Sequence, residues 1–193
     1  MRENVIRSLA EFNVYVAISG FKNAKIGDVN NFFISVRKEL SNVVAVQFFD
    51  AQLIATWQHL YFAALNALAA LENKSNISNN PAMETLLYAS AQRQITKATE
   101  TMGIKSTTKD IAALIITKSQ RSAENAIKIV QKLISGEPDD GIIEIDQEKF
   151  DKIRRFFHIS DKELGAKLQK RGLEKEALVD LVIEHGALLV TQR

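Results

Sequence analysis

Residues 43–72 read VVAVQFFDAQLIATWQHLYFAALNALAALE and contain the two signals that decide the fold. The β-branched run over residues 43–48 predicts a buried strand. Over residues 50–72, apolar side chains recur at intervals of three and four, which predicts a long helix. The opposite side of this helix carries alanines instead of charged residues. We therefore expect a central helix that is covered on both sides, by the sheet and by another helix.

The neighbouring segments alternate between strand and helix patterns. Residues 14–18 and 111–116 predict two more buried strands, and residues 142–145 predict a weaker fourth. Asp28 is placed to cap a helix between the strands at residues 14–18 and 43–48. Asn80 followed by Pro81 predicts another helix start. Further helices are expected over residues 81–90, 92–102, 119–134, 147–157, 161–170 and 174–189. The fold class is therefore α/β (α+β), with a small central β-sheet of about four strands flanked by several α-helices in one domain. Residues 137–141 are an expected internal linker.

The composition excludes several classes of protein. The 193 residues are 46% hydrophobic and 25% charged, as in soluble chains with a filled core. Because cysteine is absent, disulfide scaffolds, thiolate metal sites and cysteine nucleophiles are excluded. No N-terminal apolar run suits a secretory signal, and polar residues interrupt the apolar segment 51–71. We expect a cytoplasmic protein.

Basic residues are concentrated in the middle of the chain. Residues 92–132 contain eight basic and three acidic side chains, although the whole chain carries a net charge of only +2. Such an excess suits a phosphate-bearing partner such as nucleic acid. A lysine-rich face that is merely solvated explains it equally well.

No catalytic motif is present. Phosphate-loop and dinucleotide glycine patterns, metalloprotease histidine pairs and the serine nucleophile elbow are all missing from the sequence. We therefore expect a non-enzyme without cofactor or metal. One alternative is a small acid–base enzyme that uses His59 with Asp50 or Glu84, and another is a ligand-sensing or dimerising module. His59 lies in the predicted central helix, where a core histidine is the commoner role.

Residues 88–104, YASAQRQITKATETMGI, carry the most informative polar pattern. On a helix through this segment, Arg93, Lys97 and Glu100 share one face, and Ala91 lies on the buried one. Two cations one turn apart suit a pair of phosphates, whereas an ordinary amphipathic helix gives the same pattern.

Residues 86–104 and the strand after them resemble the CGI/TPRKB family, the small regulatory (PRPK-binding) subunit of the KEOPS complex. Segments 51–67 and 177–190 resemble the flanking helices of that family. Ala91 stands where the family commonly has glycine, and Thr56 stands where a small residue is expected. The signature positions that match are Tyr88, Ser90, Arg93, Gln94, Ile95, Ala98, Gly103 and Ile104.

The resemblance implies a non-catalytic subunit in the synthesis of threonylcarbamoyl-adenosine in tRNA. Such a subunit binds the kinase-like ATPase of the complex and recruits tRNA through its 3′ end. The candidate tRNA contacts are Tyr88 by stacking, Gln94 by its amide, and Arg93, Lys97, Lys105 and Lys109 by charge. If these fail, Arg154, Arg155 and Lys167 are the next candidates.

The last predicted helix is apolar enough to serve either its own core or a partner. If it serves a partner, its contacts with the kinase-like subunit are expected from Leu178, Val182, Ile183 and Leu189.

Overall fold

A five-stranded antiparallel sheet organises the fold in the computed structural model, which describes residues 5–168, 170 and 172–191. Its main strands follow the order β1-β2-β4-β3, and a short β5 pairs with the end of β2 beyond β1. The strands are β1 Val5–Leu9, β2 Val14–Lys22, β3 Ala45–Asp50, β4 Ile111–Thr117 and β5 Glu137–Pro138. The register places Ile18 opposite Leu114, and Phe48 opposite Ala113.

Helices cover both faces of this sheet. On one face α2, α3 and α8 pack on the side of β4 that carries Leu114, and on the other α1 and α5 pack on the side that carries Ile115. Neighbouring residues of a strand point to opposite faces, so β4 is apolar throughout because both faces are covered. The helices are α1 Val29–Glu39, α2 Trp57–Glu72, α3 Pro81–Ser90, α4 Ile95–Met102, α5 Gln120–Ile134, α6 Gln147–Phe156, α7 Asp161–Lys167 and α8 Glu174–Ala187.

The predicted fold class is confirmed, and so are the helix starts predicted at Asp28 and Asn80. The Asp28 carboxylate accepts a hydrogen bond of 2.7 Å from the Asn31 amide at the start of α1. The Asn80 side chain accepts one of 2.9 Å from the Ala82 amide, with Pro81 as the first residue of α3. In both cases a side-chain oxygen satisfies an amide that the helix itself leaves without a partner.

The structure differs from the sequence predictions at the central helix, at residues 142–145 and in two strands. The central helix begins at Trp57, because the Asp50 carboxylate accepts from the Gln52 amide and closes a 3-10 turn over Ala51–Leu53. Residues 142–145 form no strand, because the chain folds into a 3-10 turn over Asp140–Ile143. Strands β1 and β5 were not predicted.

The expected linker at residues 137–141 lies against the sheet. It supplies β5, and the Asp140 carboxylate accepts hydrogen bonds from the Gly20 amide at 2.7 Å and the Ser19 hydroxyl at 3.2 Å. Burial raises the pKa of Asp140.

The two departures from the family pattern have different structural outcomes. Ala91 does not continue a helix, which corrects the prediction: it ends α3 in the left-handed region with φ 49°, and α4 begins only at Ile95. Thr56 precedes α2, and its hydroxyl is buried without a hydrogen-bond partner in the described part of the chain.

Replacing Ala91 by glycine is expected to raise the free energy of unfolding by about 1 kcal/mol, because the left-handed region is unfavourable for a residue with a Cβ. Urea denaturation measures this difference. The control is Ala89→Gly in the regular part of α3, which should lower stability by about 1 kcal/mol. A destabilised Ala91→Gly variant would contradict the left-handed end of α3.

Candidate functional site

The candidate site lies where the turn between α3 and α4 meets the C-terminal end of α8. Arg93 lies in this turn, two residues ahead of α4, and its Nη1 donates a hydrogen bond of 3.0 Å to the Leu189 carbonyl oxygen. The prediction that Arg93 and Lys97 share a helix face is therefore wrong. Arg93 joins the turn to the 3-10 helix Leu188–Thr191, which follows α8.

A glycine allows α8 to approach α3 closely. A Cβ at Gly186 would lie 2.8 Å from the Tyr88 carbonyl oxygen, which is closer than real Cβ contacts. Gly186 thus permits the backbone contact that brings Leu189 within reach of Arg93.

Tyr88 belongs to the core. Its side chain is 5% exposed, and burial raises the pKa of its phenol. The expectation that its ring stacks on a base is therefore corrected, because no ring face is open to a ligand.

A small polar cavity lies beneath the Arg93 turn. Its volume of about 30 Å³ suits a single water molecule instead of a ligand. The buried Glu84 carboxylate borders it and accepts hydrogen bonds from the amides of Ser78 at 2.7 Å and Ile77 at 3.1 Å. Other lining residues are Ser75, Tyr88, Arg93, Leu189 and Val190. Glu84 therefore holds the loop that leads into α3.

His59 has both ring nitrogens occupied by the main chain. Nδ1 lies 3.3 Å from the Ala55 amide nitrogen and accepts from it, and Nε2 lies 2.8 Å from the Ala89 carbonyl oxygen, which fixes the neutral tautomer. Burial lowers the pKa of His59 to about 4. Its partners are thus main-chain groups of α3 and of the segment before α2, and neither Asp50 nor Glu84 contacts it. The three residues of the acid–base alternative do not form one constellation.

The remaining predicted RNA contacts are exposed. Gln94 immediately precedes α4, and Lys97 lies in its first turn. Lys105 and Lys109 belong to the loop between α4 and β4, where the Lys105 amide donates to the Thr108 hydroxyl at 2.9 Å. This bond closes a turn that holds the lysine side chains outward.

Most of the predicted partner contacts lie in the core. Leu178 and Val182 are 0% exposed and Leu189 is 1% exposed, whereas Ile183 is half-buried. The first three therefore offer no surface to a partner, which corrects that prediction. They pack against α2 and α3 instead, so this part of α8 belongs to the core of its own domain, which was the other alternative.

Sequence reasoning missed Leu188 and Val190. They are 46% and 40% exposed because the chain passes from α8 into a 3-10 helix, where the α-helical period no longer assigns faces.

The three basic residues named as the next candidates for RNA binding have partners close by. Arg154 pairs with Asp161, and Lys167 Nζ lies 2.9 Å from a Glu184 carboxylate oxygen. Arg155 Nε donates to the carbonyl oxygen of Asp151, one turn earlier. These contacts occupy the cations named as the next candidates for RNA binding.

Two absences hold for the described part of the chain. No helix there is long and apolar enough to span a bilayer. No group of three or more histidine, aspartate or glutamate side chains there is placed to hold a metal ion.

The family comparison covers the candidate site up to Leu189. The model of the family described as "Kinase binding protein CGI-121" matches residues 26–189, from the segment before α1 to Leu189. The chain belongs to the CGI-121 family. The match includes Arg93, its acceptor Leu189 and all of α4, so the resemblance predicted from residues 86–104 is confirmed.

A named relative supports the same family membership. The chain is 32% identical to "Regulatory protein Cgi121" of Methanocaldococcus jannaschii over 147 residues, which are 76% of this chain and 91% of the relative. The family is thus named for binding a kinase, and the relative from Methanocaldococcus jannaschii is named for regulation.

Proposed function

We propose that this chain is a non-catalytic subunit of the KEOPS complex, which makes threonylcarbamoyl-adenosine in tRNA. In this role it binds the kinase-like ATPase subunit and recruits tRNA through the 3′ end. The observation that carries the proposal is membership of a kinase-binding family over residues 26–189.

The absence of a catalytic role is supported by how the candidate acid–base groups are used. The His59 ring bridges two main-chain groups, and the Glu84 carboxylate binds the amides of a loop. Asp50 accepts from the amide of Gln52. An active site needs such groups to converge on one cleft, whereas these three stabilise separate parts of the fold.

The exposed apolar residues after α8 are the proposed contact with the kinase-like subunit. Leu188 and Val190 lie on either side of buried Leu189, whose carbonyl oxygen is held by Arg93. Because this bond and the core contact of Leu189 fix the segment, the two side chains are presented on a supported surface. Preorganised apolar side chains of this kind form the centres of protein interfaces.

Leu188→Glu and Val190→Glu are each expected to weaken binding of the kinase-like subunit by about tenfold or more, since each places a charge in an apolar contact. Co-purification and calorimetric titration with that subunit measure the loss. The matched control is Ile34→Glu on α1, where Ile34 is 62% exposed on the other face of the sheet. Its binding should equal that of the parent. If the three variants bind equally well, the segment after α8 is not the kinase contact.

Four exposed side chains around α4 are the proposed contacts for the tRNA 3′ end: Gln94, Lys97, Lys105 and Lys109. Single-stranded RNA ends are bound through backbone cations and through hydrogen bonds to unpaired bases. Arg93 acts as a positioning residue here, because its hydrogen bond to Leu189 holds the start of α4.

A further inference from the structure

Three basic residues of α5 form a single row on its solvent side. Arg121, Lys128 and Lys132 are all exposed. At 100° per residue they fall within about 40° of one another, and at 1.5 Å per residue the row is about 16 Å long. We refer to these three residues as the α5 stripe. It lies on the face of the sheet opposite to α2, α3 and α8.

The side chains of the α5 stripe form no ion pair in the described part of the chain, residues 5–168, 170 and 172–191. Glu124, the acidic residue of α5, lies three residues after Arg121 and four before Lys128, but its carboxylate accepts a hydrogen bond of 3.1 Å from Gln120. The C-terminal helices differ, since Lys167 there is paired with Glu184. The positive charge of α5 is therefore available to a partner.

The backbone connects the α5 stripe to the loop beside α4. The Ala24 amide donates to the Lys109 carbonyl oxygen at 2.7 Å, and the next amide, that of Lys25, donates to the Ile134 carbonyl oxygen at 3.3 Å. Residues 24–25 thus join the loop of Lys105 and Lys109 to the last residue of α5. The exposed cations Lys109, Lys25 and Lys132 follow one another around this end of the sheet.

We propose that the α5 stripe binds the sugar–phosphate backbone of RNA, as a second contact surface that is independent of base sequence. The inference rests on the proposed function, in which the ligand is tRNA. A row of unpaired cations that continues around an edge suits a phosphate strand, because each neutralised phosphate releases counterions.

The chemistry of α5 favours RNA over two other anionic partners. Helices that bind membranes insert aromatic and leucine side chains beside their cations, whereas α5 contains no aromatic residue and buries its apolar face in the sheet. Protein interfaces have an apolar centre, whereas the positions between the cations of the stripe carry polar groups such as Asn125.

The test compares whole tRNA with a short single-stranded RNA that has the sequence of its 3′ end. In the stripe variant, Arg121, Lys128 and Lys132 are each replaced by glutamine. Loss of three phosphate contacts should weaken tRNA binding by about tenfold or more and make the log–log salt dependence shallower by about 2. Affinity for the short RNA should stay within about twofold of the parent, because that RNA reaches only the α4 region.

The control variant carries Lys162→Gln, Lys170→Gln and Lys175→Gln, which removes three positive charges from α7, α8 and the segment between them. It should bind tRNA like the parent. An equal loss in both variants, or none in the stripe variant, overturns the inference and leaves the proposed function intact. Failure of the parent to bind either RNA overturns both. If the stripe variant loses binding only to phosphatidylcholine–phosphatidylserine vesicles, the stripe binds membranes and the RNA assignment is wrong.

Discussion

Replacing Val182 by glutamate is expected to lower the free energy of unfolding by about 4–5 kcal/mol, because it leaves an unpaired carboxylate in the core. Val182 is 0% exposed and belongs to the apolar cluster that α8 forms with α2 and α3. A domain of this size is stable by about 5–15 kcal/mol, so between about a third and all of that stability is lost. Urea denaturation followed by circular dichroism measures the effect.

The adjacent position provides the control. Ile183 is half-buried, so the carboxylate of Ile183→Glu can reach water and should cost about 1 kcal/mol or less. If Val182→Glu kept the stability of the parent and lost only the kinase-like partner, α8 would be an interface helix and its core position would be wrong.

Acidification from pH 6.5 to pH 4 is expected to remove about 3 kcal/mol of stability through His59 alone. Burial is the largest cause of its low pKa of about 4, and the nearby Lys149 ammonium acts in the same direction. In the unfolded chain a histidine titrates near 6.5, so the unfolded state binds the proton first. The contribution of His59 is therefore complete above pH 6.5 and is lost as the pH falls towards 4.

His59→Gln separates this contribution from that of the carboxylates. A glutamine amide can donate to the Ala89 carbonyl oxygen but does not titrate in this range. The variant should be less stable than the parent at pH 7 by about 1–2 kcal/mol, through the lost contact with the Ala55 amide. Its loss between pH 6.5 and 4 should be smaller than that of the parent. Parallel pH profiles for the two proteins would show that His59 is not held neutral in the fold.

Much of the fold follows from local signals in the sequence. Asp28 and Asn80 mark helix starts because one side-chain oxygen meets one amide two or three residues later. Strand β4 was evident because both of its faces are apolar. In contrast, β1 reads VIRSL, and its two central polar residues are exposed. Because this strand is only half-covered, it lacks the apolar run that predicts a buried strand. Residues 142–145 are β-branched, but the Asp139 side chain accepts from the Gly141 amide and caps a 3-10 turn.

The candidate site was less predictable because its decisive contacts join distant parts of the chain. Arg93 and Leu189 are 96 residues apart, and no periodicity relates them. Ala91 is a good helix former, so the sequence placed it on the buried face of a helix, whereas the packed structure imposes a left-handed residue there. The resemblance correctly indicated the family, and the usual glycine at position 91 of that family marked the true end of α3.

We propose that the chain holds the 3′ end of tRNA beside α4. The most direct test of this proposal is a binding titration of the protein with tRNA that carries or lacks the 3′ CCA, repeated with Lys97→Ala and Lys105→Ala. We expect removal of the CCA to weaken binding by about tenfold, and each substitution to make the salt dependence shallower by about 0.7. Equal affinity for the two tRNAs, with unchanged binding by both variants, would contradict the proposed function.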